Sequence, residues 1–145
     1  MVQSFAASLQ EQGLEKGDRV ALMLLNCPPY IISYYGILLA GGMVAQVNPL
    51  LFDKELAHIL IDSGSKTIVI YEPLLPVLHA IIDQTEIEHV IVVRLGENEA
   101  KHDQAVDFET FLKKATPPLI QYSLSEIKFP HKRLGQNPSK PFFYM

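Results

Sequence analysis

Cysteine and tryptophan are almost absent from this chain of 145 residues, which contains one cysteine, Cys27, and no tryptophan. A single cysteine excludes a disulfide framework within the chain and predicts a reducing, cytoplasmic setting. The first residues, "MVQSFAASLQEQ", lack both a basic segment and a continuous apolar run, so no secretory signal is predicted.

An excess of positive charge is also missing, because the formal net charge is −4 and the sequence pI is about 5.7. This balance argues against nucleic acid or an anionic membrane surface as the main partner. The charge is uneven, however, since the chain from Lys113 onward carries six Lys or Arg and one acid, Glu126. Five of the ten prolines also fall between Pro117 and Pro141. We therefore predict a domain over residues 1–115 and a basic, Pro-rich segment over 116–145 that is extended or poorly ordered.

Neither of the two common glycine-rich phosphate-binding patterns, GxGxxG and GxxxxGK[ST], occurs in the sequence. The pair Gly41-Gly42 is the one local candidate. A phosphate loop follows a strand and opens a helix, whereas these glycines close a predicted helix and precede a strand. They are interpreted as a helix C-terminal cap with tight helix–strand packing.

One long uncharged run, from Tyr30 to Val47, approaches the length of a membrane span. Gly41-Gly42 divides it, Gln46 lies inside it, and no polybasic flank sets an orientation. A buried helix followed by a buried strand is the preferred interpretation, and no membrane span is predicted.

Residue types that carry chemistry are present but scattered. Cys27 precedes a predicted helix, and Ser63 and Ser65 flank Gly64 at a helix end without a GxSxG pattern, so structural roles are predicted for all three. The histidines form no metal-binding or catalytic motif; they are His58, His79, His89, His102 and His131. The acids of the second half lie on predicted connections; they are Glu86, Glu88, Glu97, Glu99 and Asp103. No catalytic, cofactor-binding or metal-binding residue is predicted.

What the sequence does contain is a regular alternation of helix and strand patterns. Apolar runs typical of buried parallel strands are "VALMLL", "MVAQV", "TIVIY" and "HVIVV". Helical patterns lie between and around them: "FAASLQEQ" ended by Gly13, "PPYIISYYGILLAG" with both prolines in the first turn, "DKELAHILIDSG" capped by Asp53 and Gly64, "PLLPVLHAIID", and "DFETFLKKA". The second of these is apolar nearly all round and is expected to be buried on most sides.

This alternation predicts an α/β fold: a parallel sheet of about four strands, with helices on both faces joined by right-handed crossovers.

Several phrases resemble the N-terminal region of the AMP-forming acyl-CoA synthetases, which belong to the adenylate-forming superfamily. The matching phrases are "GDRVA", "NCP", "YYGILLAGG", "VNPL" and "ELAHILIDSG", and their wording is closest to bacterial long-chain fatty-acid–CoA ligases. The resemblance is strong from Phe5 to Tyr71, weaker to Ala115, and absent beyond it. Leu25 departs from the family's usual proline, and Phe52-Asp53 from its usual Thr-Pro pair.

The resemblance implies a parent enzyme that activates a fatty acid with ATP and Mg to an acyl-adenylate and then transfers the acyl group to CoA. It also implies that much is missing here, because no Ser/Thr/Gly-rich loop ending in lysine follows Ala115. The chain is therefore expected to be an N-terminal fragment that acts as scaffold, binds no cofactor alone and is inactive alone. The composition break near Pro117 suggests a frameshift or early stop in the gene.

Two alternatives stay open. In the first alternative, the chain is a non-catalytic α/β interaction module that self-associates through exposed sheet edges or pairs with a full-length synthetase. In the second, the parent is another adenylate-forming enzyme, such as a coumarate- or medium-chain-type ligase.

Overall fold

A computed structural model describes residues 1–95, 105–115 and 122 of the chain. The elements in chain order are α1 (Val2–Glu11), β1 (Arg19–Met23), α2 (Pro28–Leu39), β2 (Met43–Gln46), α3 (Asp53–Ser63), β3 (Thr67–Tyr71), α4 (Leu75–His79), β4 (His89–Val93), β5 (Ala105–Asp107) and α5 (Phe108–Leu112). Short 3₁₀ turns at Glu72–Leu74 and Ile82–Gln84 flank α4.

The strands form one parallel sheet in the order β2-β1-β3-β4-β5. The predicted parallel α/β sheet is confirmed, with five strands in the described part instead of about four. The additional strand, β5, has only three residues, paired to β4 through Val90 with Ala105 and Val92 with Asp107. So short a strand lacks the apolar run by which buried strands are identified in a sequence.

The sheet is covered on both faces, as predicted. Side chains alternate along each strand, so that Val20 and Leu22 enter one core and Ala21 and Met23 the other. The first core is closed by α1, α2 and α5, and the second by α3 and α4. Each face therefore has its own apolar cluster.

Glycines end the helices as the sequence predicts. At Gly41, where φ is +90°, the Gly41 and Gly42 amides donate to the carbonyls of Leu38 and Ile37 at 3.0 and 2.9 Å. This pair of bonds is the Schellman motif. The Gly41-Gly42 pair is thus a helix cap, and Gly13 (φ +98°) ends α1 in the same way.

The predicted cap at Asp53 is wrong. The N-cap of α3 is Phe52, whose backbone is extended, and Asp53 is the first helical residue with no side-chain capping bond. The helix begins one residue too early for an Asp53 cap, so the Asp53 carboxylate contributes only a negative charge in the first turn.

The single helix predicted over "PLLPVLHAIID" is also wrong, since only Leu75–His79 is α-helical there. Pro76 has no N–H to donate to the preceding turn, so the segment before it tightens into the 3₁₀ turn Glu72–Leu74.

Burial of α2 on most sides is not observed. Its packed side is narrow and holds Ser33, Gly36 and Ile37, while Ile31 and Tyr35 are 53% and 56% exposed. Gly36 lies so close to Phe5 of α1 that an added Cβ would be 2.7 Å from Phe5 Cδ1. The helix therefore approaches α1 closely at Gly36, buries Ile37 in the first core and leaves Ile31 and Tyr35 outward.

Candidate functional site

The carboxyl ends of the five parallel strands share one edge of the sheet, and this edge is where open α/β sheets bind ligands. The order β2-β1-β3-β4-β5 reverses direction between β1 and β3, which marks the usual binding crevice. Asn26 and Cys27 follow β1 at this point, and Glu72 follows β3. This edge is therefore the first candidate for a functional site.

The N-terminus of α2 lies beside the crevice but offers no amides to an anion. Pro28 and Pro29 occupy its first two positions and have no N–H. The next amide, of Tyr30, donates to the Cys27 carbonyl at 3.0 Å. The phosphate-binding role that helix N-termini often have is thus excluded here by the sequence of the first turn.

A charged cluster joins the carboxyl ends of β3, β4 and β5. Arg94 Nε donates to Glu72 Oε1 at 2.9 Å, and Arg94 Nη1 donates to Asp107 Oδ1 at 2.9 Å. The three side chains are 20%, 22% and 29% exposed, respectively. Asp107 also caps α5, because its Oδ2 accepts the Glu109 amide at 3.1 Å.

Arg94 bridges Glu72 and Asp107, and we call these three residues the clamp. The guanidinium lies between two carboxylates and is a fork that matches their geometry. Both carboxylates accept charged hydrogen bonds from the guanidinium. The arrangement ties three strands and a helix together.

Glu72, Arg94 and Asp107 were not singled out from the sequence. A usable signal was present, because Glu72 and Arg94 each come directly after a β-branched strand run. Charged residues at the carboxyl ends of adjacent parallel strands must meet at the same edge. The partnership with Asp107 was not accessible, because β5 itself was not predicted.

Of the residues considered in the sequence, Ser63 and Ser65 meet in the structure. Ser63 and Ser65 contact each other, with 2.9 Å between their hydroxyls, and Ser63 donates to the Leu60 carbonyl at the end of α3. Cys27 is a half-buried free thiol. Both observations fit the predicted cap, turn and packing roles.

The histidines and surface acids form no cluster in residues 1–95, 105–115 and 122. There, no group of three or more His, Cys, Asp or Glu side chains is arranged to hold a metal ion. His58 and His79 are exposed and His89 is half-buried; Glu86 and Glu88 are exposed. His102, His131, Glu97, Glu99 and Asp103 lie outside the described residues.

Aromatic side chains gather on α2. The rings of Tyr30 and Tyr34 stack with centroids 6.2 Å apart, and Tyr34 meets Tyr35 edge-on at 5.6 Å. Burial raises the pKa of the Tyr30 hydroxyl, and the neighbouring Tyr34 adds to this rise.

Among the helices the structure describes, none is long and apolar enough to cross a membrane.

Comparison with known proteins decides the family. The model of the AMP-binding enzyme family matches residues 1–135. The chain belongs to this family. The match runs past the boundary predicted at residue 115, into the segment in which no resemblance was found by wording.

Curated members of the AMP-binding family are similar to this chain over most of its length. A long-chain-fatty-acid–CoA ligase of Escherichia coli is 47% identical over 95 residues, which is 65% of this chain and 17% of that protein. The ligases of the same name from Yersinia pestis and Bacillus subtilis are 42% and 37% identical over 79% and 86% of this chain. The chain spans 17–21% of the length of these relatives.

Solved structures of CoA ligases share the fold. A long-chain-fatty-acid–CoA ligase from Archaeoglobus fulgidus matches with a TM-score of 0.73 at 20% identity, over 87% of this chain and 24% of that one. An anthranilate CoA ligase in complex with anthranoyl-AMP matches with a TM-score of 0.76 at 21% identity, over 83% of this chain and 23% of that one. The sheet and its covering helices therefore correspond to one part of a larger ligase fold.

Proposed function

We propose that this chain provides the N-terminal scaffold of an AMP-forming long-chain fatty-acid–CoA ligase and has no catalytic activity alone. The observation that carries the proposal is the 47% identity to a long-chain-fatty-acid–CoA ligase over 95 residues. The whole enzyme would use a fatty acid, ATP with Mg, and CoA. The single cysteine supports a cytoplasmic setting for such an enzyme.

The scaffold role is supported by the state of the carboxyl edge. Adenylate formation needs cations, amides or a metal at the attacked phosphate. The one arginine described at this edge is clamped by Glu72 and Asp107, and the first turn of α2 begins with two prolines. In the described residues, the edge thus holds the fold together while offering little to a phosphate.

A segment exchange tests the proposal. The 95-residue segment of the Escherichia coli ligase that matches this chain is replaced by the corresponding residues of this chain. Acyl-CoA formation from palmitate, ATP and CoA is then measured beside pyrophosphate release by this chain alone. The expected result is an active chimera and no pyrophosphate release from the chain alone.

Two results would count against the proposal. Pyrophosphate release by the chain alone, dependent on a fatty acid, would show that it carries its own catalytic groups. A chimera that gives the circular dichroism and elution volume of the parent ligase but makes no acyl-CoA would show that this scaffold does not serve such a ligase.

A second candidate function is a self-associating interaction module. The observation in its favour is the outward apolar side of α2, where Ile31 and Tyr35 are more than half exposed. The strand β2, at one end of the described sheet, adds an edge whose residues are half-buried or exposed. Exposed apolar faces and strand edges both favour association.

A further inference from the structure

The side chain of Tyr122 packs onto the turns that lead into β1 and β2. Gly41, in the turn before β2, is buried, and a Cβ added there would overlap the Tyr122 ring at Cδ2 and lie 2.7 Å from Cε2. Since contacts below 3.0 Å are essentially never made by a Cβ, the ring occupies the space that a side chain at residue 41 would need. Glycine is therefore required at Gly41 for this contact as well as for its φ of +90°.

Two further residues contribute at this place: Lys16, which faces the ring, and Gly17, which is bonded to Gly41. Lys16 Nζ lies 5.0 Å from the centre of the Tyr122 ring, within the range of a cation–π interaction. The Gly17 amide donates to the Gly41 carbonyl at 2.8 Å, which joins the two turns. We call Lys16, Gly17 and Gly41 together the aromatic seat.

We propose that the aromatic seat is an intramolecular docking site for the ring of Tyr122, so that the folded unit extends at least to Tyr122. The seat combines a glycine that leaves room, a cation that faces the ring and a backbone bond that fixes the two turns. A boundary at residue 115 would leave this surface without its aromatic partner. The family match through residue 135 agrees with a longer unit.

The position of the seat gives the contact a consequence for the sheet. Gly41-Gly42 leads directly into β2, which lies at one end of the described sheet. The Met43 amide donates to the Asp18 carbonyl at 2.7 Å, so the same two turns set the register between β1 and β2. A docked Tyr122 therefore stabilises the start of this edge pairing.

Thermal unfolding of full-length variants tests the docking site. Gly41→Ala is compared with Gly13→Ala, because Gly13 has a similar φ of +98° and nothing within 4 Å of an added Cβ. Both variants strain the backbone, but only Gly41→Ala displaces the ring. We expect Gly41→Ala to lower Tm by about 5 °C more than Gly13→Ala, and this difference to vanish when both are made in a Tyr122→Ala background.

A difference that persists unchanged in the Tyr122→Ala background would overturn the proposal, as would equal Tm losses for the two glycine variants in the natural background. Either result would mean that the ring does not share a site with Gly41.

A fluorescence measurement does not depend on how well Gly41→Ala folds. The chain has no tryptophan, so Tyr122→Trp introduces a single tryptophan, which is excited at wavelengths that the remaining tyrosines do not absorb. The matched control is Phe52→Trp, at a position that is 75% exposed. We expect emission from Tyr122→Trp at shorter wavelength than from Phe52→Trp, and stronger acrylamide quenching when Lys16→Met is added. Identical emission and quenching of the two tryptophans would contradict a docked ring.

Discussion

Two serines on the helices of the first core show how differently the same buried side chain can be used. Ser8 and Ser33 are both fully buried. The Ser8 hydroxyl donates to the Phe111 carbonyl at 2.7 Å, joining α1 to α5 across 103 positions of the chain. The Ser33 hydroxyl, in contrast, has no hydrogen-bond partner among the described residues.

These two sites give a matched pair of substitutions. Ser8→Ala removes one buried hydrogen bond, while the Phe111 carbonyl keeps the Lys114 amide as a donor at 3.2 Å. We therefore expect the free energy of unfolding to fall by about 0.5 to 1.5 kcal/mol. Ser33→Ala removes an unsatisfied hydroxyl, and we expect no loss of stability or a small gain. Because both are serine-to-alanine changes within helices, their helix-propensity terms are similar.

Urea denaturation of both variants and the natural chain measures these changes. Equal stability losses at the two positions would contradict the assigned hydrogen bond. Neither role could be predicted from the sequence, because a partner 103 residues away leaves no local pattern.

At the scale of elements, Arg94 is the residue on which three strands depend. It is held by Glu72 after β3 and by Asp107 at the end of β5, and its side chain is only 20% exposed. Lys66 and Glu88 form a contrasting pair at 3.8 Å, with side chains 64% and 61% exposed. Burial and geometry predict that the ion pairs of Arg94 contribute much more to the free energy of unfolding than the Lys66–Glu88 pair.

We expect Arg94→Ala to lower the free energy of unfolding by about 1 to 3 kcal/mol, because two partly buried carboxylates then lose the cation that they share. Lys66→Ala is expected to change it by less than about 0.5 kcal/mol. Urea titrations at low and high salt measure both changes. A loss after Lys66→Ala as large as that after Arg94→Ala would contradict the clamp.

Most elements could be predicted from the sequence because their patterns are local. Gly13, Gly41 and Gly64 end helices through their own backbone freedom, and the strands around Val69 and Ile91 are unbroken apolar runs. The errors arose where tertiary contacts decided the outcome. Short β5 exists through its pairing with β4, and α2 leaves Ile31 and Tyr35 exposed because its packed side is narrow.

At the scale of the whole molecule, the fold and family were predicted and the candidate site was not. Fold class follows from the alternation of buried strands and amphipathic helices, and this alternation can be recognised in a single sequence. The cluster of Glu72, Arg94 and Asp107 depends on strand order, because β3, β4 and β5 must be neighbours before these side chains can meet. Strand order is not encoded in any one segment.

The oligomeric state of the whole molecule distinguishes the scaffold from the self-associating module. If the outward side of α2 binds a second copy, the chain should elute as a dimer at micromolar concentration, and Ile31→Glu with Tyr35→Glu should make it monomeric. Lys54→Glu, a charge reversal at an exposed position on α3, is the control and should leave the mass unchanged. Light scattering coupled to size-exclusion chromatography measures the mass. A monomer at every concentration would remove the module from consideration.

The contact between α1 and α5, the first and last described helices, cannot form until the ribosome has synthesised both of them. Phe5 of α1 packs against Phe108 and Phe111 of α5, with ring centres 5.5 and 5.2 Å apart. At a synthesis rate of about 5 to 20 residues per second, roughly 5 to 20 s separate the two helices on the ribosome. During that interval the Phe5 ring lacks its native aromatic neighbours and is open to other nascent chains. The speed of translation, as well as the sequence, therefore determines how long this chain is vulnerable to misassociation.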